Sequence, residues 1–362
     1  MIWLDTPAGL TAFLRKHADA RLIALDTEFI RERTYYPQLA LVQVCIDGDI
    51  ALIDAAKPEL AQLLKPLLQD PATLKIMHSC SEDLQAFKTG CGAVPTPVFD
   101  TQSAAALCGY GNSMSYQKLV EQLCAVMLEK GETRSDWLQR PLTEAQQHYA
   151  ADDVRYLHAM HAQLDGRLRE LGRLDWLQAD CARAVSAAVD EQPDANPHLG
   201  IRSNQPLDAE AQLRLRRILR WRDARAIEKN KPKRWIIDND AAFALARQRF
   251  DRIDELDAVL ARYPKAPKGA RNHLFALLEK PFDAEELAAP LAGEPDAAQK
   301  ARLKALQQAV LGKAQELDVP EGLLCSRKHL EVLLDTGTWP PALQGWRREL
   351  LQDAFGKILQ PA

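Results

Sequence analysis

The 362-residue chain has no run approaching the roughly 20 consecutive apolar residues that a membrane span requires, which excludes helices embedded in a bilayer and leaves no membrane partner expected. Its opening, MIWLDTPAGLTAFLRKHADA, carries charges where a secretory signal needs an apolar centre, so a cytoplasmic location is expected. No CxxC pair occurs, and the seven cysteines (Cys45, Cys80, Cys91, Cys108, Cys124, Cys181 and Cys325) are scattered and odd in number. Neither a zinc site nor a disulfide framework is indicated, and the thiols are expected to be reduced, buried small residues. A GxxxxGK[ST] run is absent too, which argues against a P-loop motor. The formal net charge is only −4, giving no overall sign of a polyanionic partner.

The length allows two or three domains, each with its own core, and 47% hydrophobic with 27% charged residues is the balance of an ordinary globular protein. Up to about residue 165 strand and helix signals mix. LIALDTEF, LALVQVCI and IALID are short, β-rich and separated by turn-length segments, which predicts a three-stranded meander. LKIM, a helix from about Ser81, the short strand PVFD and then helices follow, so a mixed sheet covered by helices, an α/β layer architecture, is expected. Over 191–207 periodicity is lost and prolines accumulate, as in a linker. Everything beyond reads as helical, with breaks near Pro232, Pro264 to Pro267 and Glu294-Pro295. RLRRILRWRDARAIEKNKPKRWIIDNDAAFAL, from Arg214, aligns without gaps to RLKALQQAVLGKAQELDVPEGLLCSRKHLEVL, from Arg302, with the same order of helix, proline-marked turn and helix. The expected organisation is a domain over 1–190, a linker over 191–207, and two all-α domains over 208–290 and 291–362.

Charge is unevenly spread. Residues 214–234 carry Arg214, Arg216, Arg217, Arg220, Arg222, Arg225, Lys229, Lys231, Lys233 and Arg234 against only Asp223 and Glu228. Such a cluster reads either as a footprint for phosphates or as a solvated helix face. An apolar stripe of Leu215, Ile218, Leu219 and Ala226 leaves Arg214, Arg217 and Arg225 on other faces, and Trp221 is expected in the core. The second repeat has lost most of these basic residues, so phosphate binding is expected in the first.

Asp26 and Glu28 sit at the tip of the apolar run RLIALDTEF. Strand alternation projects both to one side, about 7 Å apart, with Thr27 and Phe29 facing away as core. At an effective dielectric of 20 two charges at that distance repel by roughly 2 kcal/mol, and burial adds desolvation. The pair needs a cation, and hard divalent ions such as Mg²⁺ or Mn²⁺ prefer carboxylate oxygens. Asp83 lies in the first turn of the helix after LKIM, where dipole stabilisation alone would also explain it. Tyr149 and Asp153, four residues apart in TEAQQHYAADDVRYL, share a helical face. Asp100 is expected to cap a helix, and Asp152 to lie off the Asp153 face.

Together DTEF, HSCSEDL and YAADD resemble the three exonuclease motifs of the DEDD superfamily in its tyrosine-bearing branch. RERTYYPQLALVQV, VFDTQ and SDWLQRPLTEAQQHYAADDVRYL are similar to the ribonuclease D family, and LRWRDARAIEKNKPKRWIIDNDAAFALA resembles the helicase-and-RNase-D C-terminal (HRDC) domain, with a diverged second copy from residue 302. The resemblance covers nearly the whole chain. It implies a ribonuclease H-like mixed-sheet exonuclease domain followed by two HRDC-like domains. It further implies two divalent metals held by Asp26, Glu28, Asp83 and Asp153, with Tyr149 orienting the attacking water, and release of nucleoside 5′-monophosphates from 3′ ends of RNA such as tRNA precursors and other small structured RNAs. A monomer is expected.

His148 satisfies the spacing of the histidine-bearing branch, but on a regular helix it points about 140° from Asp153 whereas Tyr149 is only about 40° off, which favours Tyr149. Arg31, Arg33, Tyr35 and Tyr36 follow the first motif, where they could meet phosphates and bases or form a packed loop. The Lys229–Arg234 loop, with Lys229, Lys231, Lys233 and Arg234, is the expected RNA contact in the helical region. A DNA exonuclease is the neighbouring alternative. An inert RNA-binding scaffold is the alternative from another class, and the presence of all five active-site residues counts against it.

Overall fold

A computed structural model describes residues 1–129, 131–132, 135–190, 192–201, 205–263, 268–293 and 296–359. The breaks expected at Pro264 to Pro267 and at Glu294-Pro295 lie outside the described residues.

Among the described residues six strands form one mixed sheet: β1 (Ile2–Leu4), β2 (Leu22–Ile30), β3 (Gln38–Ile46), β4 (Asp49–Ile53), β5 (Leu74–Met77) and β6 (Val98–Asp100), in the order β1-β4-β3-β2-β5-β6. The meander β2-β3-β4 is antiparallel, and β1, β5 and β6 add in parallel through helical connections. Strand β1 was not expected from the sequence, because three residues are too few to display a period. Nearly all of β3 is buried, as a central strand covered on both faces should be. β2 is buried through Leu25 and then opens toward solvent at Asp26 and Glu28. A register shift between Glu28 and Phe29 interrupts the pairing with β3 directly after the second acid, and it resumes with Phe29 opposite Leu39 and Ile30 opposite Gln38.

Contacts divide the chain into two compact units. One comprises Met1–Ile30, Gln38–Asp190 and Pro295–Ala362; the other comprises Arg31–Pro37 and Glu191–Glu294. In the first unit, Leu303, Leu306, Val310, Leu330 and Phe355 of the C-terminal helices belong to the same continuous core as the sheet residues. Trp346 stacks on Trp176 at 4.6 Å, and the Arg347 guanidinium takes both Asp180 oxygens, at 2.5 and 2.7 Å. These helices, expected as a separate domain, therefore share the core of the sheet. The second unit has its own core around Leu215, Ile218, Leu219, Leu245 and Leu274.

The two helical regions repeat element by element. Helices Ala209–Lys229 and Ala297–Leu317 are both capped by an aspartate, Asp208 or Asp296. Both end on a residue with left-handed backbone, Asn230 (φ 46°) or Asp318 (φ 51°). A proline and a four-residue helix follow in each, Lys233–Ile236 or Glu321–Leu324, and then a capped helix, Asn239–Ala246 or Arg327–Thr336. Among its described residues, the stretch read as a linker contains one 3₁₀ turn, Pro197–Gly200, whose His198 is buried.

The basic helix is where the sequence reading needs correction. Arg214, Arg216, Arg217 and Arg222 are neither a solvated face nor a phosphate footprint; they are buried at 5%, 4%, 6% and 7% exposure. Arg217 is bidentate on Glu286 and donates to the carbonyls of Leu277, Lys280 and Pro281. Arg214 donates to Ala246 O, and Arg216 to Ala195 O and Glu285. Buried guanidiniums are tolerated because carbonyls and carboxylates replace the lost water. Only Arg220, Arg225 and the residues beyond Glu228 keep a solvent-facing charge. Trp221 is half-buried against this core, as expected, and stacks on His273.

Candidate active site

Three elements distant in the chain meet at the open end of β2. The strand presents Asp26 and Glu28. The helix Glu144–Arg155 begins with a reciprocal Thr143–Gln146 capping box, which sets the position of Tyr149 and Asp153 along it. The helix Ser81–Cys91 carries Asp83 in its first turn. That helix lies so close to β3 that a Cβ on Gly90 would fall 2.5 Å from the Leu39 side chain, so only glycine permits the approach.

The turn leading to Asp83 is itself fixed. Ser79 has φ 57°, and the Asp100 carboxylate accepts the amides of Ser79 (3.2 Å) and Cys80 (2.9 Å) as well as those of Gln102 and Ser103. Asp100 thus caps the following helix as expected and, in addition, ties β6 to the turn that delivers Asp83.

Among the described residues, Asp26, Glu28 and Asp153 each place a carboxylate oxygen within 4.8 Å of the others. Asp83 is not in that group. Its Oδ1 accepts the Thr27 hydroxyl at 2.5 Å. Thr27 leaves the Asp26–Glu28 face and is buried, as expected, and in addition its hydroxyl engages the acid of the neighbouring helix. Phe29 is half-buried against the core.

A cavity of about 240 Å³ is lined by Asp26, Thr27, Glu28, His78, Tyr116, Tyr149 and Asp153. Desolvation pushes the Asp26 carboxyl well above its usual range, and the charges of Asp83, Asp153 and Glu28 add to it in that order. Burial, then Asp153 and Asp83, raises Glu28 to about 9. Asp153 is raised by burial, then by Asp152 and Asp83; Asp83 is raised by burial and held back by the Thr27 hydrogen bond. Four crowded carboxyls that resist ionisation are an oxygen-only donor set suited to hard divalent cations, which would reverse each of these shifts.

Tyr149 faces this cavity. Burial, then Asp153, Glu28 and Asp26, raises its phenol, so it remains a hydrogen-bond donor at neutral pH. Its ring is held by Trp137 at 6.0 Å and by Gly131, where a Cβ would lie 2.3 Å from the ring. His148 is exposed, with Nδ1 2.9 Å from Glu144 O, and does not line the cavity. Asp152 points away to Arg155 at 2.7 Å.

His78 and Tyr116 escaped the sequence reading. The His78 Nε2 lies 3.1 Å from the Met114 carbonyl, which can only accept, so that nitrogen carries the proton. Burial lowers the His78 pKa, which keeps the ring neutral. Tyr116 packs edge-on against it at 5.6 Å and donates to Asp152 O at 2.6 Å. His78 directly follows β5 and opens the HSCSEDL motif, a usable signal; Tyr116 has none, since only tertiary folding brings it here.

The candidate nucleic-acid residues fall in the second unit. Arg31, Arg33, Lys229, Lys231 and Arg234 are exposed, while Tyr35 and Lys233 are half-buried. The 31–37 loop is packed: Asn230 Oδ1 accepts the amides of Tyr35 and Tyr36, both at 3.1 Å, and Arg31 Nε donates to Tyr35 O at 2.8 Å.

The mixed sheet and its acidic cavity define a 3′-5′ exonuclease, and residues 1–169 match the family described by that activity. Ribonuclease D of Xanthomonas oryzae pv. oryzae is 47% identical over 358 residues, covering 99% of this chain and 98% of its own. Ribonuclease D of Escherichia coli K12 is 33% identical over 356 residues, covering 93% of this chain and 92% of its own. The crystal structure of Escherichia coli RNase D, described as an exoribonuclease involved in structured RNA processing, aligns with a TM-score of 0.80 at 29% identity over 99% of this chain and 98% of that one. The chain belongs to the ribonuclease D family.

Proposed function

We propose that this metal-dependent 3′-to-5′ exoribonuclease uses Asp26, Glu28, Asp83 and Asp153 to hold two divalent cations, Mg²⁺ or Mn²⁺, with Tyr149 as the residue that orients the attacking water. The observation that carries the reading is the convergence of Asp26, Glu28 and Asp153 oxygens within 4.8 Å. Three carboxylates that close do not all ionise at neutral pH unless a cation offsets their repulsion. Divalent ions held there would supply a more acidic water and offset the charge developing on the phosphoryl and leaving oxygens. The chain's own groups do the rest. The acids fix where the cations would be held, and the protonated Tyr149 hydroxyl donates toward the water. Hydrolysis joins a water oxygen to phosphorus and breaks its bond to the 3′ oxygen, releasing a nucleoside 5′-monophosphate.

The proposed substrates are tRNA precursors and other small structured RNAs with accessible 3′ ends, in keeping with the structured-RNA role stated for the Escherichia coli relative. Arg31, Arg33, Tyr35, Lys229, Lys231, Lys233 and Arg234 contact the RNA in this reading, supported by the solvent-facing charge that remains beyond Glu228. The helical regions 208–290 and 291–362 are two HRDC-like repeats in this reading, the second sharing the core of the sheet, supported by their element-by-element repetition. No described helix is long and apolar enough to cross a membrane. A cytoplasmic monomer completes the proposal.

The test uses 5′-labelled RNA and matching DNA, with divalent metal and with chelator. A ladder shortening from the 3′ end of RNA, lost with EDTA and in Asp26→Ala, is the expected result. Internal cleavage, or a ladder that survives EDTA, overturns it.

A further inference from the structure

The turn that closes the first long helix of the second unit holds an aromatic ring in water. Trp235 is 55% exposed although tryptophan is among the residues that bury most area, and its backbone is firmly fixed. The left-handed Asn230 ends the preceding helix, Lys231 N–H bonds Ala226 O at 3.0 Å, and Trp235 N–H bonds Pro232 O at 2.8 Å. Ile237, fully buried, anchors the other side. The ring is therefore presented by a rigid turn.

Its surroundings are cationic. The Lys231 ammonium lies 5.8 Å from the Trp235 ring centroid, the Lys233 ammonium, paired with Asp223 at 2.6 Å, lies 6.0 Å from that of Tyr35, and the exposed Arg234 directly precedes Trp235. Rings alternating with ammonium groups suit a chain whose bases stack and whose phosphates are negative. A protein partner would instead favour an interface centre depleted of lysine, whereas here the indole lies beside Lys231.

The second copy of the turn supplies an internal comparison. Leu323 stands where Trp235 stands, and Glu321 where Lys233 stands. There the turn packs within the first unit: the Asp318 carbonyl approaches Gly109 so closely that a Cβ would lie 2.9 Å away, and Leu323 is partly buried against the core. The same backbone device covers an apolar residue in one copy and leaves an aromatic among cations in the other.

We propose that Trp235 is a stacking platform for an unpaired nucleobase of single-stranded RNA, with the neighbouring cations taking the adjacent phosphates. This rests on the RNA-hydrolysing reading above. The experiment measures, by anisotropy in EDTA, the affinity of the full chain for a short single-stranded RNA and for the same strand with abasic riboses. Trp235→Ala weakens binding to the normal strand by about tenfold, leaves the abasic strand unchanged, and Trp235→Phe restores most of the loss. Unchanged affinity of Trp235→Ala for the normal strand, or an equal loss on both strands, overturns the proposal. Release of mononucleotide from a dinucleotide is followed in parallel. If the unsubstituted chain fails that assay, the hydrolytic reading fails, whereas a normal dinucleotide rate in Trp235→Ala with unchanged strand affinity rejects the platform alone.

Discussion

Thr27 and Asp83, far apart in the chain, are joined by a hydrogen bond of 2.5 Å from the threonine hydroxyl to Oδ1. The bond links the strand that carries Asp26 and Glu28 to the helix that carries Asp83, and it favours the ionised form of the acid. Groups that orient ligating carboxylates typically alter metal affinity by tenfold or more. Thr27→Val is therefore expected to raise the half-saturating divalent concentration about tenfold, and Thr27→Ser to stay near the unsubstituted value. Metal titrations by calorimetry and by activity check this; a Val variant with unaltered affinity would show that the bond is only structural.

Tyr149 lies in the acidic cavity and His148 outside it. Tyr149→Phe is expected to lower kcat by about 10²-fold with little change in KM, and His148→Ala to leave both intact. Gly131→Ala should mimic the Tyr149 defect, because the new methyl displaces the ring. Steady-state kinetics on a short RNA separate these cases, and full activity of Tyr149→Phe would remove the tyrosine from the mechanism.

Neutralising Lys229, Lys231, Lys233 and Arg234 together is expected to weaken RNA binding and to flatten its salt dependence. Four lost phosphate contacts on a single strand reduce the slope of log K against log salt by up to about 3. Lys233 contributes least, since it is paired with Asp223 at 2.6 Å. Binding isotherms at several salt concentrations measure the slope, and an unchanged slope would mean that the RNA passes elsewhere.

Arg217 holds the Glu286 carboxyl down at about 2, from its ordinary 4.5. The folded group binds its proton later than the unfolded one, so the stabilisation is present in full above pH 4.5 and is lost as pH falls toward 2. Allowing for solvent screening of a carboxylate at the rim, it is worth about 2 kcal/mol. Glu286→Gln is expected to lower the neutral-pH stability of the second unit by about that amount and to reduce its loss on acidification. Denaturant melts of the full chain from pH 7 to pH 3 test both; parallel curves for the two proteins would contradict it.

The sequence alone determined most of the elements, though not the short strand β1, and which faces of them carry the acids. Alternation in ALDTEF places Asp26 and Glu28 on one face because a strand has a period of two, and the four-residue spacing of Tyr149 and Asp153 fixes their common helical face. The capping of a helix by Asp100 follows from its position at a strand end. These are local regularities, set by backbone geometry within a few residues. Only the tertiary structure decided what long-range packing controls. It brought Tyr116 and His78 to the cavity, and it turned Thr27 from filler into the partner of Asp83. It buried Arg214, Arg216, Arg217 and Arg222 against carbonyls and acids that lie distant in the chain, while leaving Trp235 in water. A charge or a ring in a sequence carries no mark of whether it faces solvent, because its environment is supplied by segments that the local pattern does not contain.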